Sequence, residues 1–112
     1  MLFGRHNDTI YLHGSVSARM LKDFAQNQPQ VCLCVTLLDG LVLARSSFHH
    51  SANYRSVVVY GEAREVNEEK EKREALKIIS EHVVPGRWDQ VRTPNEAEMK
   101  STKVLRDGGR TR

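Results

Sequence analysis

The sequence predicts a mainly β protein with peripheral helices, either an α+β arrangement or a β-barrel with helices inserted between its strands. Three observations lead there. Val31 to Leu38 is apolar on both alternating faces, as in a strand that lies in a barrel wall or under another surface. Asp39-Gly40 follows it, the dipeptide of a two-residue hairpin turn, so Leu41 to Ser47 is expected to return antiparallel. A strand that opens on the β-branched Val57-Val58-Val59 and runs to Val66 comes next, interrupted by Gly61, which marks a bulge or a close approach. About four strands are secure, few for closure, and the open edge left over calls for a cover that a partner subunit would supply.

Taken in order, Met1-Leu2-Phe3 is apolar and Gly4 to Asp8 reads as a turn. Thr9 to His13 is a strand with Ile10 and Leu12 on one face and Tyr11 and His13 on the other. Gly14-Ser15 stops it. Ser15 or Ser17 then caps a short helix whose buried stripe is Met20, Leu21 and Phe24, and Asn27-Gln28-Pro29 ends it. After the Val57 to Val66 strand, Asn67 caps a helix to about His82, with Ala75, Leu76, Ile79 and Val83 on its apolar face and Ile78 beside them. Pro85-Gly86 closes that helix, and Arg87-Trp88-Asp89 is a turn with an aromatic anchor. Thr93-Pro94-Asn95-Glu96 reads as a capping box that starts a short helix to Ser101. Thr102 to Leu105 begins a last strand, Asp107-Gly108-Gly109 breaks it, and residues 106–112 form a frayed basic tail after a single domain over 1–105.

With 112 residues, 39% hydrophobic and 28% charged, the chain makes one ordinary globular domain. No apolar run approaches the roughly 20 residues of a membrane helix, and the start does not read as a signal peptide, so a cytoplasmic location is the default. The net charge of +3 comes largely from the C-terminal arginines. Elsewhere bases mix with acids, which argues against a nucleic-acid face. Cys32 and Cys34 share one face of a strand, unsuited to a disulfide or, with two sulfurs alone, to a zinc site.

The densest polar stretch is Phe48 to Ser56, which holds His49, His50, Asn53, Tyr54, Arg55 and two serines ahead of an apolar strand. It reads either as a polar loop with a capping role or as a site for a small polar ligand. His49 and His50 are adjacent and point opposite ways in extended chain, which disfavours joint ligation of one ion. Asp39 most simply serves the hairpin turn, and His82 the helix dipole.

Several words of the sequence, in order, carry a resemblance: Tyr11-Leu12-His13-Gly14-Ser15, Ala18-Arg19-Met20-Leu21, Thr36 to Ser46, Phe48 to Ser51, Asn53 to Val59 with Gly61, and Val84 to Trp88. Over residues 2–105 the chain resembles the pyridoxamine 5'-phosphate oxidase-like flavin-nucleotide-binding split β-barrels, in the branch related to nitroimidazole-resistance proteins. The resemblance implies an FMN-binding split β-barrel, with FAD an option, in a homodimer that holds the cofactor at the subunit interface, and flavin-dependent oxidoreductase chemistry. It implies phosphate-side contacts at His13, Gly14, Ser15 and Arg19, where the family's Ser-Arg-Lys word reads Ala18-Arg19-Met20. It places Tyr54, Arg55 and Ser56 at the flavin or the interface, and His49 or His50 nearest a substrate. Relative to the family the chain begins late and ends early, so a non-catalytic shortened homologue acting as an oligomeric module is the alternative, and a haem-binding split barrel, ligated through His49 or His50, is another.

Overall fold

The computed structural model describes residues 1–27, 30–108 and 110–111, in a curled antiparallel sheet with helices against it. Strands β1 (Phe3–His6), β2 (Thr9–Ser15), β3 (Gln30–Val42), β4 (Ser51–Glu65) and β5 (Thr102–Asp107) lie in the order β1-β2-β5-β4-β3, and β6 (Arg110–Thr111) pairs with β4. Helix α1 (Arg19–Asn27) joins β2 to β3, α2 (Glu69–Val83) follows β4, and α3 (Glu96–Ser101) leads into β5. The five-strand path is a half-barrel, the expected mainly β class with peripheral helices. None of the described helices is long and apolar enough to cross a membrane.

The first turn is tighter than the sequence suggests. Gly4, Arg5 and His6 belong to β1, and the chain reverses at Asn7-Asp8 with His6 opposite Thr9. Asn7 takes the left-handed conformation there (φ 54°), which asparagine tolerates better than most residues. Gly4 is needed for another reason: a Cβ at that position would lie 2.8 Å from the backbone nitrogen of Ile79, so β1 and α2 touch backbone to backbone.

The Asp39-Gly40 hairpin does not form. β3 continues through both residues, with a register shift between Leu38 and Gly40, and pairs on to Val42 opposite Ser51. Neither residue adopts the positive φ that the tight turn requires. The cross-strand partners Leu41–Ala52 and Val42–Ser51 extend the ladder instead, and the reversal falls at 43–50 around a 3-10 turn, Ser47–His49. Leu41 to Ser47 is therefore not a separate return strand.

The strand that is apolar on both sides and buried on both sides is β2. Tyr11 packs with Val66, Ala75, Ile79 and Val104 beneath α2, while Leu12 packs with Leu21 and Leu105 beneath α1. Each fully buried aliphatic side chain here contributes about 1.5–3 kcal/mol. β3 has the same two-faced pattern, yet Cys32, Cys34, Leu37 and Leu38 are exposed. With β4 it forms a long ribbon, and the radius of gyration is 17.1 Å where a compact domain of this length has about 13 Å.

Helix ends are shifted from their expected places. α2 begins at Glu69 with Glu68 as its N-cap, not Asn67, and no side chain caps it. Its buried residues are Ala75 and Ile79, with Leu76 and Ile78 packed against them, while Val83 is 47% exposed. The capping box is real but lies two residues on: Asn95 accepts from the Glu98 N–H and Glu98 accepts from the Asn95 N–H. In α1, Leu21 is buried and Met20 is exposed; the Phe24 side chain and the Gln28-Pro29 stop lie outside the described residues. At the C-terminal end, β5 runs to Asp107 and Arg110–Thr111 form a strand beside Val59 and Tyr60, where a frayed tail was expected.

Candidate functional site

The β2–α1 turn gathers hydrogen-bond donors. β2 ends with Gly14 opposite Lys103 and Ser15 opposite Thr102, and the Val16 N–H donates to the Ser101 carbonyl at 3.0 Å, which fixes the turn to the start of β5. Gly14 is required by packing: a Cβ there would stand 2.2 Å from Cδ1 of Leu21. Its absence lets α1 lie directly on β2.

Beyond Gly14, the Ser15 and Ser17 hydroxyls are 2.8 Å apart, and Ser15 Oγ accepts the Ser17 N–H at 3.2 Å. Neither serine caps α1 itself among the described residues. The first helical bond runs from the Lys22 N–H to the Ala18 carbonyl, which leaves the N–H groups of Arg19, Met20 and Leu21 as helix-terminal donors. The first turn holds no acidic residue. Arg19 is exposed and makes no ion pair among the described residues. Two hydroxyls, a helix N-terminus and a guanidinium without a competing carboxylate form a donor set suited to a phosphate dianion. Lys103, which sequence reasoning missed, adds a second, largely buried cation beside Gly14, held by Glu65 at 3.4 Å. Only the ladder register brings it there.

His13 and Gly14 are neighbours in a strand and face opposite ways. Gly14 faces Leu21 of α1. His13 opens on a pocket of about 260 Å³ on the α2 side, lined by Leu2, Leu76, Ile79, Val83 and Val84 together with Ser80 and Arg87. Burial pushes the imidazole pKa below its ordinary value. The structure thus separates His13 from the Ser15–Arg19 turn that the sequence placed beside it.

The second group of expected residues is also divided between two faces. Tyr54 and Ser56 lie on the outward face of the β3–β4 ribbon, opposite Leu38 and Thr36. Ser56 Oγ, Thr36 Oγ1 and Cys34 Sγ form a cluster, with 3.1 Å between the two hydroxyls and 3.4 Å from Ser56 to the sulfur. Hydrogen bonds from Ser56 and then Thr36 lower the Cys34 thiol pKa. Arg55 points to the inner face, where Asp39 accepts from its Nε at 3.1 Å and from its terminal nitrogen at 3.0 Å. Asp39 therefore anchors Arg55 from a strand irregularity rather than serving a turn. The ion pair is exposed, worth about 0–1 kcal/mol.

At the ribbon tip, His50 Nδ1 accepts the Ala44 N–H at 3.0 Å and closes the loop. His49 lies edge-on to Phe48, which is 88% exposed. His82 lies in the last turn of α2, where a dipole interaction was expected, and its ring also meets that of Phe3 at 4.5 Å, tilted by 45°. The inner wall of the half-barrel opens as a cleft of about 600 Å³ lined by Phe3, Ile10, Val35, Leu37, Val57 and Val59.

The family model for pyridoxamine 5'-phosphate oxidase matches residues 1–107. Among solved structures, an FAD- and haem-binding protein from Mycobacterium smegmatis is 34% identical with a TM-score of 0.79, over 93% of this chain and 50% of that one. A flavocytochrome from Azotobacter vinelandii is 36% identical with a TM-score of 0.75, over 93% and 48%. A protein assigned to 5-nitroimidazole antibiotic resistance from Bacteroides thetaiotaomicron is 26% identical with a TM-score of 0.73, over 99% and 63%. The chain spans about half the length of the first two and 63% of the third. No curated protein sequence matches the chain.

Proposed function

Because the chain belongs to the pyridoxamine 5'-phosphate oxidase family, we propose that it is a flavin-binding split barrel that grips the phosphate of FMN at the Ser15–Arg19 turn. The observation that carries this reading is the donor set at the start of α1: two hydroxyls 2.8 Å apart and the exposed Arg19, with no acid in the first helical turn. The names of two similar structures, one FAD- and haem-binding and one a flavocytochrome, support a flavin. The bound flavin would supply electron or hydride transfer, which makes the chain part of an oxidoreductase. The chain's own residues would then anchor the phosphate through Ser15, Ser17 and Arg19, place Tyr54 and Ser56 on the ribbon face near the ring, and keep His49 at the substrate side.

The outward ribbon face supports a homodimer as the working form. Leu38, Leu41 and Tyr54 are 65–70% exposed there, and a second copy would cover them and complete the flavin site. The test is a titration of the purified chain with FMN, and in parallel with FAD, read by flavin fluorescence and sedimentation. FMN binding to a dimer is expected, weakened by Arg19→Ala by about 1.5–3 kcal/mol, one charge-assisted bond. An affinity unchanged in Arg19→Ala refutes the phosphate assignment. Colourless protein with no thermal gain from either nucleotide refutes the flavin reading and leaves the non-catalytic homologue. The same two names favour a second reading, that the chain also takes up haem.

A further inference from the structure

We propose that the inner cleft of the half-barrel is a docking site for one β-strand supplied from outside residues 1–112. The strand lies between β1 and β3 and turns apolar side chains at alternate positions into the cleft. The site is independent of the flavin reading, which uses the α1 turn and the outward ribbon face. β1 and β3 are the two ends of the strand order β1-β2-β5-β4-β3. Among the described residues each pairs along one edge only, β1 with β2 and β3 with β4. Their outer edges therefore present backbone N–H and C=O groups that a further strand can pair with.

The cleft of about 600 Å³ is apolar on both sides, with Phe3 and Ile10 from β1 and β2 and Val35, Leu37, Val57 and Val59 from the ribbon. Val35 stands opposite Val57 in the ladder, so the two share the inward face. Leu37 is 53% and Val57 40% exposed, although inward positions of a small barrel are normally filled by side chains. The free edges decide between occupants. A compact apolar molecule covers the wall and leaves both edges unpaired. An extended polypeptide covers the wall with alternate side chains and pairs its main chain with the edges, which is how strands add to sheets. At the β1–β2 turn the lining becomes polar, with Arg5, Asn7 and Asp8, and Arg5 makes no ion pair among the described residues. The strand is thus apolar where it faces Val35 and Val57 and polar where it passes Arg5. A second copy does not fit the role. Each described strand already has its place in the sheet, so donating one would undo the donor's own ladder.

The probes are overlapping synthetic peptides drawn from the half of the Mycobacterium smegmatis protein that this chain does not match. Binding is read by fluorescence anisotropy of the labelled peptides and by hydrogen exchange of the chain. A peptide with alternating apolar residues should bind and slow amide exchange in Phe3–His6 and Gln30–Val42. Leu37→Lys and Val57→Lys set a charge in the cleft and should each weaken binding by about tenfold or more. Both positions are exposed in the free chain, so these variants should fold, as circular dichroism checks; Leu37→Ser serves if either does not. Thr36→Lys, one residue along but on the outward face, should bind as the parent does. Failure of every peptide to bind, or binding that survives both cleft lysines, overturns the proposal. So does a chain that dimerises unaided and loses the dimer in Leu37→Lys, because the occupant is then a second copy.

Discussion

Gly14→Ala tests how the β2–α1 junction is made. The added Cβ would meet Leu21 Cδ1 at 2.2 Å, whereas Cγ lies at 3.6 Å. Only the outer methyl collides, but Leu21 is 1% exposed and wedged between Leu12 and Leu105, so it cannot swing aside without opening the core. Overpacking of this kind costs about 1–3 kcal/mol. Gly14 does not use a positive φ, so alanine also lowers the entropy of the unfolded chain and returns about 0.4–1 kcal/mol. The net loss is about 0–2.6 kcal/mol, which at this size lowers Tm by about 4 °C per kcal/mol. Leu21→Val deletes the colliding atom at a cost of about 0.5–1.5 kcal/mol. In that background the clash is gone and the entropic gain remains, so Gly14→Ala should change sign and become neutral or stabilising. Urea denaturation of the four proteins, followed by circular dichroism, measures the cycle. Equal destabilisation by Gly14→Ala in both backgrounds would refute the steric account.

Three further outcomes follow from local chemistry. Iodoacetamide should alkylate Cys34 faster than Cys32 at neutral pH, because only Cys34 has Ser56 and Thr36 stabilising its thiolate; peptide mass spectrometry distinguishes the two, and Ser56→Ala should narrow the gap. Glu81 accepts the Gly86 N–H at 2.6 Å and the Trp88 N–H at 3.0 Å, in that order the causes of its lowered pKa. Its contribution is therefore fully present above the unfolded-state value near 4.3 and is lost as pH falls through the lower folded value; fluorescence of Trp88, the one tryptophan, should report loosening of the 84–88 turn in that range, and Glu81→Gln should abolish the dependence. Asn95→Ala removes the cap of α3 and should cost about 1 kcal/mol in a thermal melt, with an unchanged Tm counting against the capping box.

Periodicity made the existence of most elements legible, because a buried stripe or face leaves a repeat in the sequence whatever packs on it. The placement of turns was less legible. Asn7-Asp8 and Asp39-Gly40 are both turn dipeptides, and their own residues do not decide between them. Leu41 and Val42 found partners in Ala52 and Ser51 and carried β3 past its signal, whereas His6 and Thr9 close directly around Asn7. Burial was misplaced for a related reason: β2 and β3 share a two-faced apolar pattern, but α1 and α2 both land on β2. In the site, the α1-turn residues were singled out by the resemblance and not by their types, since an arginine and two serines at a helix start read equally well as a solvated side chain and caps. The division of His13 from Gly14, and of Arg55 from Tyr54 and Ser56, followed from strand alternation alone. The Asp39–Arg55 pair was not readable, since it depends on the register shift between Leu38 and Gly40.

The uneven burial also sorts the site by rigidity. β2 and β5 are sandwiched between two helices, with Val104 and Leu105 fully buried. The Ser15–Arg19 turn is tied to this body through the Val16–Ser101 bond. Among the described residues, the stretch of ribbon from Cys34 to Ser56 pairs with no third strand, and Cys34, Thr36, Leu38, Tyr54 and Ser56 on its outward face are exposed. A two-stranded ribbon of that kind is marginal in water on its own. On the proposed reading, ligand grip and ligand orientation would fall to parts of very different local stability. Substitutions in the α1 turn would then act on a preformed cradle. Substitutions at Tyr54 or Ser56 would act on a segment ordered by what binds it, so their effects on affinity would carry the cost of ordering the ribbon as well as the lost contact.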